Sequence, residues 1–341
     1  MKTGVADLPL HPGRCPKWLF PKMVLLGKAV TEAICFEHGE KEFLRRVSNP
    51  LFFQSLGCVL AFDWHSSGLT TTVCGALKQA LKESDCGIRV CGGKGLVSRK
   101  TPQEIIDYSY EAGFSLALEK ELVMASKLSA KIDSACVQDG FELYHHCFFV
   151  SEKGDWTVIQ QGMNDANGYA RRYHWLGEID SFVVEPHSGI ASKKVSSVLD
   201  LTSRKNNSLH KQSVDLVNDG EVLKASFPRP HWFDVRNYKS LEAAREFQPK
   251  NFQELVSLKG IGQKTLRGLA LASELIYGNE LDWTDPAKYS YSFGGKDGIP
   301  FPVLQDEMLE AAEFLQDSIK QAKLGDFEKK KALQSLSRVL S

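Results

Sequence analysis

The sequence has no long hydrophobic run. No stretch without charged residues approaches the roughly 18 residues that a membrane-spanning helix needs. The apolar residues from Met23 to Leu26, for example, are followed at once by Gly27 and Lys28. The first residues also lack the apolar segment of a secretory signal peptide. We therefore expect a soluble, cytoplasmic protein without a membrane partner.

The sequence has no net charge either, because 42 lysines and arginines balance 42 aspartates and glutamates. A neutral protein has no overall field that draws it onto a polyanion such as nucleic acid. Any nucleic-acid site in this chain must therefore be a local basic patch.

Cysteine motifs are also missing. The chain has 8 cysteines, all within the first 147 residues, and none has the Cys-x-x-Cys spacing of zinc knuckles and redox dithiols. We therefore expect buried free thiols.

The residues that are present indicate a folded protein with mixed secondary structure, since 43% are hydrophobic and 25% are charged. Apolar periodicity predicts helices at 17–37, 41–46, 70–82 and 116–132, and strands at 88–91, 141–150 and 156–161. We predict the α+β class, with an α+β domain that carries a candidate active site at 1–187. A connector with short helices at 188–239 and an all-α domain at 240–341 follow. The last domain includes a Gly/Pro-rich loop at 292–302 and helix at 304–340.

The most specific motif is Gly260-Ile261-Gly262 between two short helical patterns. The first N–H groups of the helix after the turn lack intrahelical partners, and the glycines leave room for a phosphate beside them. Residues 251–276 resemble the helix-hairpin-helix family, which implies binding to DNA through backbone phosphates. The candidate contacts are Lys259, Gly260, Ile261, Gly262, Lys264, Thr265 and Arg267. An ordinary helical hairpin, or one that contacts protein, is the alternative.

The same element also resembles helix-hairpin-helix DNA glycosylases. In that family a lysine after the hairpin forms a Schiff base and a later aspartate acts at the sugar. Lys264 matches the lysine, and Asp282 or Asp285 lies at a suitable distance along the chain. The usual Val-Asp-Thr-His-like string is absent, so a Lys264 that only contacts phosphate is the alternative.

The first 187 residues contain polar clusters that suit acid–base or metal chemistry. Asp63 and His65 lie in a polar segment between apolar ones, where the alternative is a helix cap and turn. Carboxylates ahead of a β-hairpin resemble restriction-type nuclease cores, although Gln160-Gln161 stands here without the expected lysine. A polar network that ties the hairpin to a helix is the alternative. We expect Mg²⁺ or Mn²⁺ bound by Asp63, Asp139 and Glu142. The candidate catalytic residues are Asp63, His65, Lys131, Asp133, Asp139, Glu142 and His145.

Two further basic strings are candidate nucleic-acid contacts. Lys94, Arg99 and Lys100 follow a glycine-rich segment that could present backbone N–H groups to phosphate, although it is not a Walker A loop. Arg171 and Arg172 lie among aromatic residues, a pattern that suits phosphate pairing and base stacking. A flexible surface loop is the alternative for the first string, and an unremarkable surface arginine pair beside a core tryptophan is the alternative for the second.

Several strings together resemble the domain-of-unknown-function family 763 of archaea and bacteria. They are TGVADLPLH at 3–11, GCVLAFDWHSSG at 57–68, GGKG at 92–95, LSAKIDS at 128–134, QQGMN at 160–164 and ARRYHW at 170–175. The resemblance covers most of the chain and implies one coherent protein, but it implies no activity.

From these observations we expect a DNA-binding protein of DNA processing or repair that acts as a metal-dependent nuclease. A glycosylase/lyase that uses Lys264 and a non-catalytic DNA-binding or scaffolding protein are the alternatives. The oligomeric state and the DNA structure recognised stay open.

Overall fold

A computed structural model describes residues 8–10, 15–60, 66–82, 84–220, 235–278 and 280–287. Asp63, His65, the 292–302 loop and the 304–340 helix lie outside these residues. The described chain contains helices and an antiparallel sheet, which confirms the α+β class. No helix in it is long and apolar enough to cross a membrane.

The strands form one large and one small sheet. They are β1 (Ile88–Lys94), β2 (Val137–Gln138), β3 (Glu142–Ser151), β4 (Trp156–Asn164), β5 (Tyr169–Leu176), β6 (His187–Ala191) and β7 (Leu199–Asp200). The large sheet is antiparallel with the order β1-β3-β4-β5-β6, and β2 pairs with β7. The predicted hairpin of β3 and β4 is confirmed.

Helices flank both faces of the large sheet, and further helices pack on these. The described helices are α1 (Phe20–His38), α2 (Glu40–Val47), α3 (Pro50–Val59), α4 (Ser67–Lys82), α5 (Thr101–Glu111), α6 (Leu116–Ala135), α7 (Asn207–Asp219), α8 (Val235–Phe247), α9 (Phe252–Ser257) and α10 (Gln263–Tyr277). Side-chain caps fix some of their starts: the Ser115 hydroxyl, for example, accepts a hydrogen bond from the Leu118 N–H at 3.2 Å.

Alternate residues of β3 enter two different hydrophobic cores, because successive strand side chains point to opposite faces. Cys147 and Phe149 pack with α1–α4 in one core. Phe148 and Val150 pack with α5 and α6 in the other. Burial on both faces explains why the second half of β3, from Cys147 to Val150, is a continuous apolar run.

The second core continues into the carboxy-terminal helices. Leu209 of α7, Leu255 of α9 and Leu269 of α10 belong to the same cluster as Phe148. The predicted connector at 188–239 also takes part in the fold, since it supplies most of β6 together with β7 and α7. The described part of the carboxy-terminal region therefore packs on the sheet domain.

Helices α9 and α10 are joined by a short turn at 258–262, where the sequence predicts two helices around glycines. Gly260 has φ +88°, and a Cβ atom there would lie 2.2 Å from the Ser240 hydroxyl oxygen of α8. Glycine is therefore required at this position by both backbone conformation and packing. Gly262 differs, because a Cβ atom there would meet open space.

Candidate functional site

Three candidate metal ligands lie together on the α1–α4 face of the large sheet. The ligand atoms of Cys74, His145 and Cys147 lie within 4.8 Å of one another, and all three residues are buried. His145 and Cys147 are two positions apart on β3 and therefore share a face, while Cys74 comes from α4. Neither ring nitrogen of His145 has a hydrogen-bond partner. The cluster therefore has an uncommitted imidazole beside two thiols.

The Cys147 thiol is strongly held in its protonated form. Its pKa is raised well above the ordinary cysteine value, first by a hydrogen bond with Cys74 and then by burial, while His145 acts against this rise. A metal that binds here must therefore displace a proton from this thiol.

The described residues do not form the predicted set of oxygen ligands for Mg²⁺ or Mn²⁺. Asp139 is buried and accepts hydrogen bonds from Arg171 Nη1 at 3.0 Å and from the Tyr173 hydroxyl at 2.6 Å. Glu142, by contrast, is exposed. Mg²⁺ and Mn²⁺ prefer oxygen ligands, whereas the cluster that the fold does bring together offers sulfur and nitrogen. The prediction of a Mg²⁺ or Mn²⁺ site is corrected here to a candidate site for a softer metal.

A continuous polar network occupies the opposite face of the sheet. The Ser126 hydroxyl of α6 lies 2.9 Å from His146 Nε2, and His146 Nδ1 lies 2.8 Å from Gln160 Oε1. The Gln160 amide then donates to Asp133 at 2.6 Å. Burial lowers the pKa of His146 to about 4, with the Gln160 contact acting against this shift. His146 is therefore neutral at pH 7, and both its nitrogens are satisfied.

Asp133 is the centre of this network. Besides Gln160, its carboxylate accepts from Trp175 Nε1 at 3.0 Å and contacts His187 Nε2 at 2.5 Å. Burial raises the pKa of Asp133, and the contacts with His187 and Trp175 oppose this rise. An aspartate–histidine pair can orient a general base, but both side chains are nearly closed off from solvent here. In this conformation the predicted catalytic residue Asp133 joins α6 to the sheet.

The two arginines predicted to contact nucleic acid are fully buried. Arg171 forms ion pairs with Asp139 at 3.0 Å and with Asp285 at 2.6 Å. Arg172 Nε lies 2.8 Å from His174 Nε2, and its Nη1 donates to the Thr70 hydroxyl at 3.2 Å. Neither side chain reaches the surface, so this expectation is corrected to a structural role in the core.

Lysines line a groove along α6 with a volume of about 500 Å³. Lys120, Lys127 and Lys131 lie on one face of the helix, as their spacing of seven and four residues requires. Burial lowers the pKa of Lys131. Ser257 of α9, which directly precedes the hairpin turn, lines the same groove. The groove therefore connects the α6 lysines to the hairpin.

The predicted hairpin contacts divide into exposed and buried residues. Lys259, Lys264 and Arg267 are exposed, and Arg267 Nε also donates to the Gln138 side chain at 2.8 Å. Ile261 and Thr265 are buried and pack the hairpin against the core. Gly260 and Gly262 differ, because an added Cβ atom would clash with Ser240 at Gly260 but would meet open space at Gly262.

The basic string at 94–100 lies at the end of β1 and in the turn of 3-10 helix that follows. Lys94, Arg99 and Lys100 are all exposed. The glycine before them serves packing, because a Cβ atom at Gly92 would lie 2.2 Å from the His146 carbonyl oxygen. This segment is therefore ordered structure rather than a simple loop, and its cations face solvent.

Sequence reasoning missed several members of these groups. Cys74 lies far from Cys147 in the chain, and only the packing of α4 on β3 brings them together. The Gln160-Gln161 string stood out in the sequence only because the lysine of nuclease cores is missing beside it. The hydrogen bonds of Gln160 with His146 and Asp133 could not be predicted. The spacing His145-x-Cys147 on a predicted strand was the one available signal for the metal cluster.

Comparison with known proteins gives a family but no activity. A family model described as a protein of unknown function (DUF763) matches residues 4–303. No curated protein and no solved structure matches the chain.

Proposed function

The chain belongs to the DUF763 family, and we propose from its geometry that it binds DNA through the backbone phosphates. The proposed interface consists of the α9–α10 hairpin and the groove beside α6. The observation that carries the proposal is that three lysines of α6 line a groove that reaches the first residue before the hairpin turn.

The hairpin contributes a backbone site for an anion. Gly262 is the N-cap of α10 and makes no side-chain cap. The first N–H groups of a helix attract phosphate through both hydrogen bonding and the helix dipole. The exposed Lys259 and Lys264 flank this helix start in the chain. The turn therefore combines uncapped N–H groups, open space at Gly262 and nearby positive charge, as the helix-hairpin-helix resemblance implies.

The α6 groove contributes local positive charge to an otherwise neutral protein. Within the described ranges, no salt bridge engages Lys120, Lys127 or Lys131. Glu119 is the one acidic residue among those that line the groove. Phosphate contacts of this kind give affinity without base preference and make binding depend on salt.

The test is the salt dependence of binding to a labelled DNA duplex. We expect log K to fall linearly with log salt concentration, and the Lys120→Gln/Lys127→Gln variant to lose about 0.9 of slope for each phosphate contact removed. Lys28→Gln/Lys82→Gln is the matched control, because these lysines lie on α1 and α4 on the opposite side of the sheet. Equal slopes in both double variants would contradict the interface.

Gly262→Ala tests the hairpin separately. The new methyl group meets open space in the protein, so we expect the fold to be unchanged. It would nevertheless stand where a phosphate approaches the start of α10, and we expect weaker binding at every salt concentration. Gly260→Ala cannot serve this purpose, because its methyl group would clash with Ser240.

Nuclease activity stays a prediction that accompanies DNA binding. The same duplex, together with single-stranded and branched DNA, should be incubated with Mg²⁺, Mn²⁺ or EDTA. Metal-dependent cleavage that is lost in Asp63→Ala would support it, while binding without cleavage would support a scaffolding role.

Borohydride trapping through Lys264 tests the glycosylase alternative. The two candidate aspartates for that reaction already accept hydrogen bonds within the protein, Asp282 from Ser203 and Asp285 from Arg171.

A further inference from the structure

We propose that Cys74, His145 and Cys147 bind a divalent, thiophilic transition-metal ion of the Zn²⁺ class, which ties α4 to β3. This inference does not depend on the proposed DNA binding. It starts from the 4.8 Å cluster of two sulfurs and one imidazole in the core between the sheet and α1–α4.

The state of His145 is the independent observation that points to a ligand. Its side chain is buried to 1% exposure, and neither ring nitrogen has a hydrogen-bond partner. A buried polar group without a partner costs free energy, so native proteins rarely keep one without a reason. A metal ion would use the lone pair of one nitrogen and remove this cost.

The distances suit a metal after small side-chain movements. In a tetrahedral zinc site two sulfurs lie about 3.8 Å apart, given Zn–S bonds of about 2.3 Å. The atoms of the cluster already lie within 4.8 Å of one another. The proposed site requires the side chains of Cys74 and Cys147 to move by no more than the remaining difference of about 1 Å.

Charge decides between divalent and monovalent ions. Binding breaks two S–H bonds, forms two metal–sulfur bonds and releases two protons to solvent. A divalent ion then balances two thiolates and leaves a neutral buried site. Cu⁺ would leave one negative charge in an apolar core, which is costly to bury. Sulfur and imidazole ligands also favour Zn²⁺ over Mg²⁺ or Ca²⁺.

The experiment is metal loading of the full chain after reduction and treatment with a chelator. We expect about one Zn²⁺ per chain after dialysis, and thiolate-to-metal charge-transfer absorption when Co²⁺ is used instead. Cys74→Ser, Cys147→Ser and His145→Leu should each weaken binding roughly tenfold or more. Cys91→Ser is the matched control, since Cys91 is a buried free thiol that packs in the other core.

His145→Leu keeps the test decisive even if the serine variants fail to fold. Leucine removes no hydrogen bond, so the metal-free variant should be at least as stable to heat as the metal-free parent. Zn²⁺ should raise the Tm of the parent and of Cys91→Ser but leave that of His145→Leu unchanged. The proposal is overturned by a parent that takes up no Zn²⁺ when reduced, by preferential Cu⁺ uptake, or by equal Zn²⁺ uptake in His145→Leu.

Discussion

Two adjacent histidines on opposite faces of the sheet differ in their hydrogen-bond partners. On the α6 face, His146 contacts Ser126 and Gln160, so both ring nitrogens have partners. On the α4 face, His145 is just as buried but has none. Both are histidines on one strand, so residue type and burial do not separate their roles. The hydrogen-bond partners do: His146 is part of the structure, whereas His145 has the properties of a ligand.

The largest loss of stability is expected at Asp133, on the α6 face, where the buried polar groups have hydrogen-bond partners. Asp133→Ala removes the acceptor of Gln160, Trp175 and His187 at once and leaves their donors buried. We expect the free energy of unfolding to fall by about 3–5 kcal/mol, as for other broken buried networks. Urea unfolding measures it, with the exposed Asp107→Ala as control. A loss no larger than that of the control would mean that the network stabilises nothing.

His146→Leu should have the next largest effect. It leaves the Ser126 hydroxyl and Gln160 carbonyl oxygen without their partner, and we expect a loss of about 2–3 kcal/mol. His145→Leu, compared in the presence of a chelator, should cost nothing because it breaks no hydrogen bond. Equal losses in the two variants would erase the distinction between the faces.

The buried His146 also predicts how the stability of the protein depends on pH. The pKa of His146 is about 4 in the folded protein, below the ordinary value of about 6.5 in the unfolded chain. The unfolded state therefore binds the proton first, and stability is lost as pH falls from the unfolded towards the folded pKa. By about pH 4.5 this amounts to roughly 2–3 kcal/mol.

His146→Leu lacks this titration, so its deficit relative to the parent should shrink by that amount between neutral pH and about pH 4.5. Unfolding by urea at both pH values measures the change. A deficit that stays constant would show that His146 titrates normally in the folded protein.

The smallest loss of stability is expected at Ser126, which lies at the end of the polar network. Ser126→Ala removes one partner of His146 and leaves the contact with Gln160 intact. We expect a loss of about 1 kcal/mol in the free energy of unfolding. Ser134→Ala on the exposed side of α6 is the matched control. If Ser126→Ala were as costly as His146→Leu, the serine would be essential to the network.

Local patterns were enough to predict much of the fold. Apolar periodicity placed α4, α6 and the β3–β4 hairpin, because each has a regular apolar face and a clear turn. The sequence did not reveal β5, because Arg171 and Arg172 resemble surface residues in a string. Their burial depends on partners such as Asp139 and Asp285 that come from distant segments.

The candidate sites were predicted less well for the same reason. The hairpin lies within one short segment, so its glycines and lysines could be identified from the sequence. The metal cluster needs α4 and β3 together, so the His145-x-Cys147 spacing on β3 could indicate only two of its three residues. Strand alternation alone requires the adjacent His145 and His146 to face opposite sides, but which of them lacks partners depends on Ser126 and Gln160.

The most direct test compares unfolding of the parent, His145→Leu and His146→Leu, each with a chelator and with Zn²⁺. We predict that with chelator only His146→Leu is destabilised. With Zn²⁺, the parent and His146→Leu should gain the same stability, and His145→Leu should gain none. Two variants that respond alike to both conditions would contradict the account, because the adjacent histidines would then have the same role.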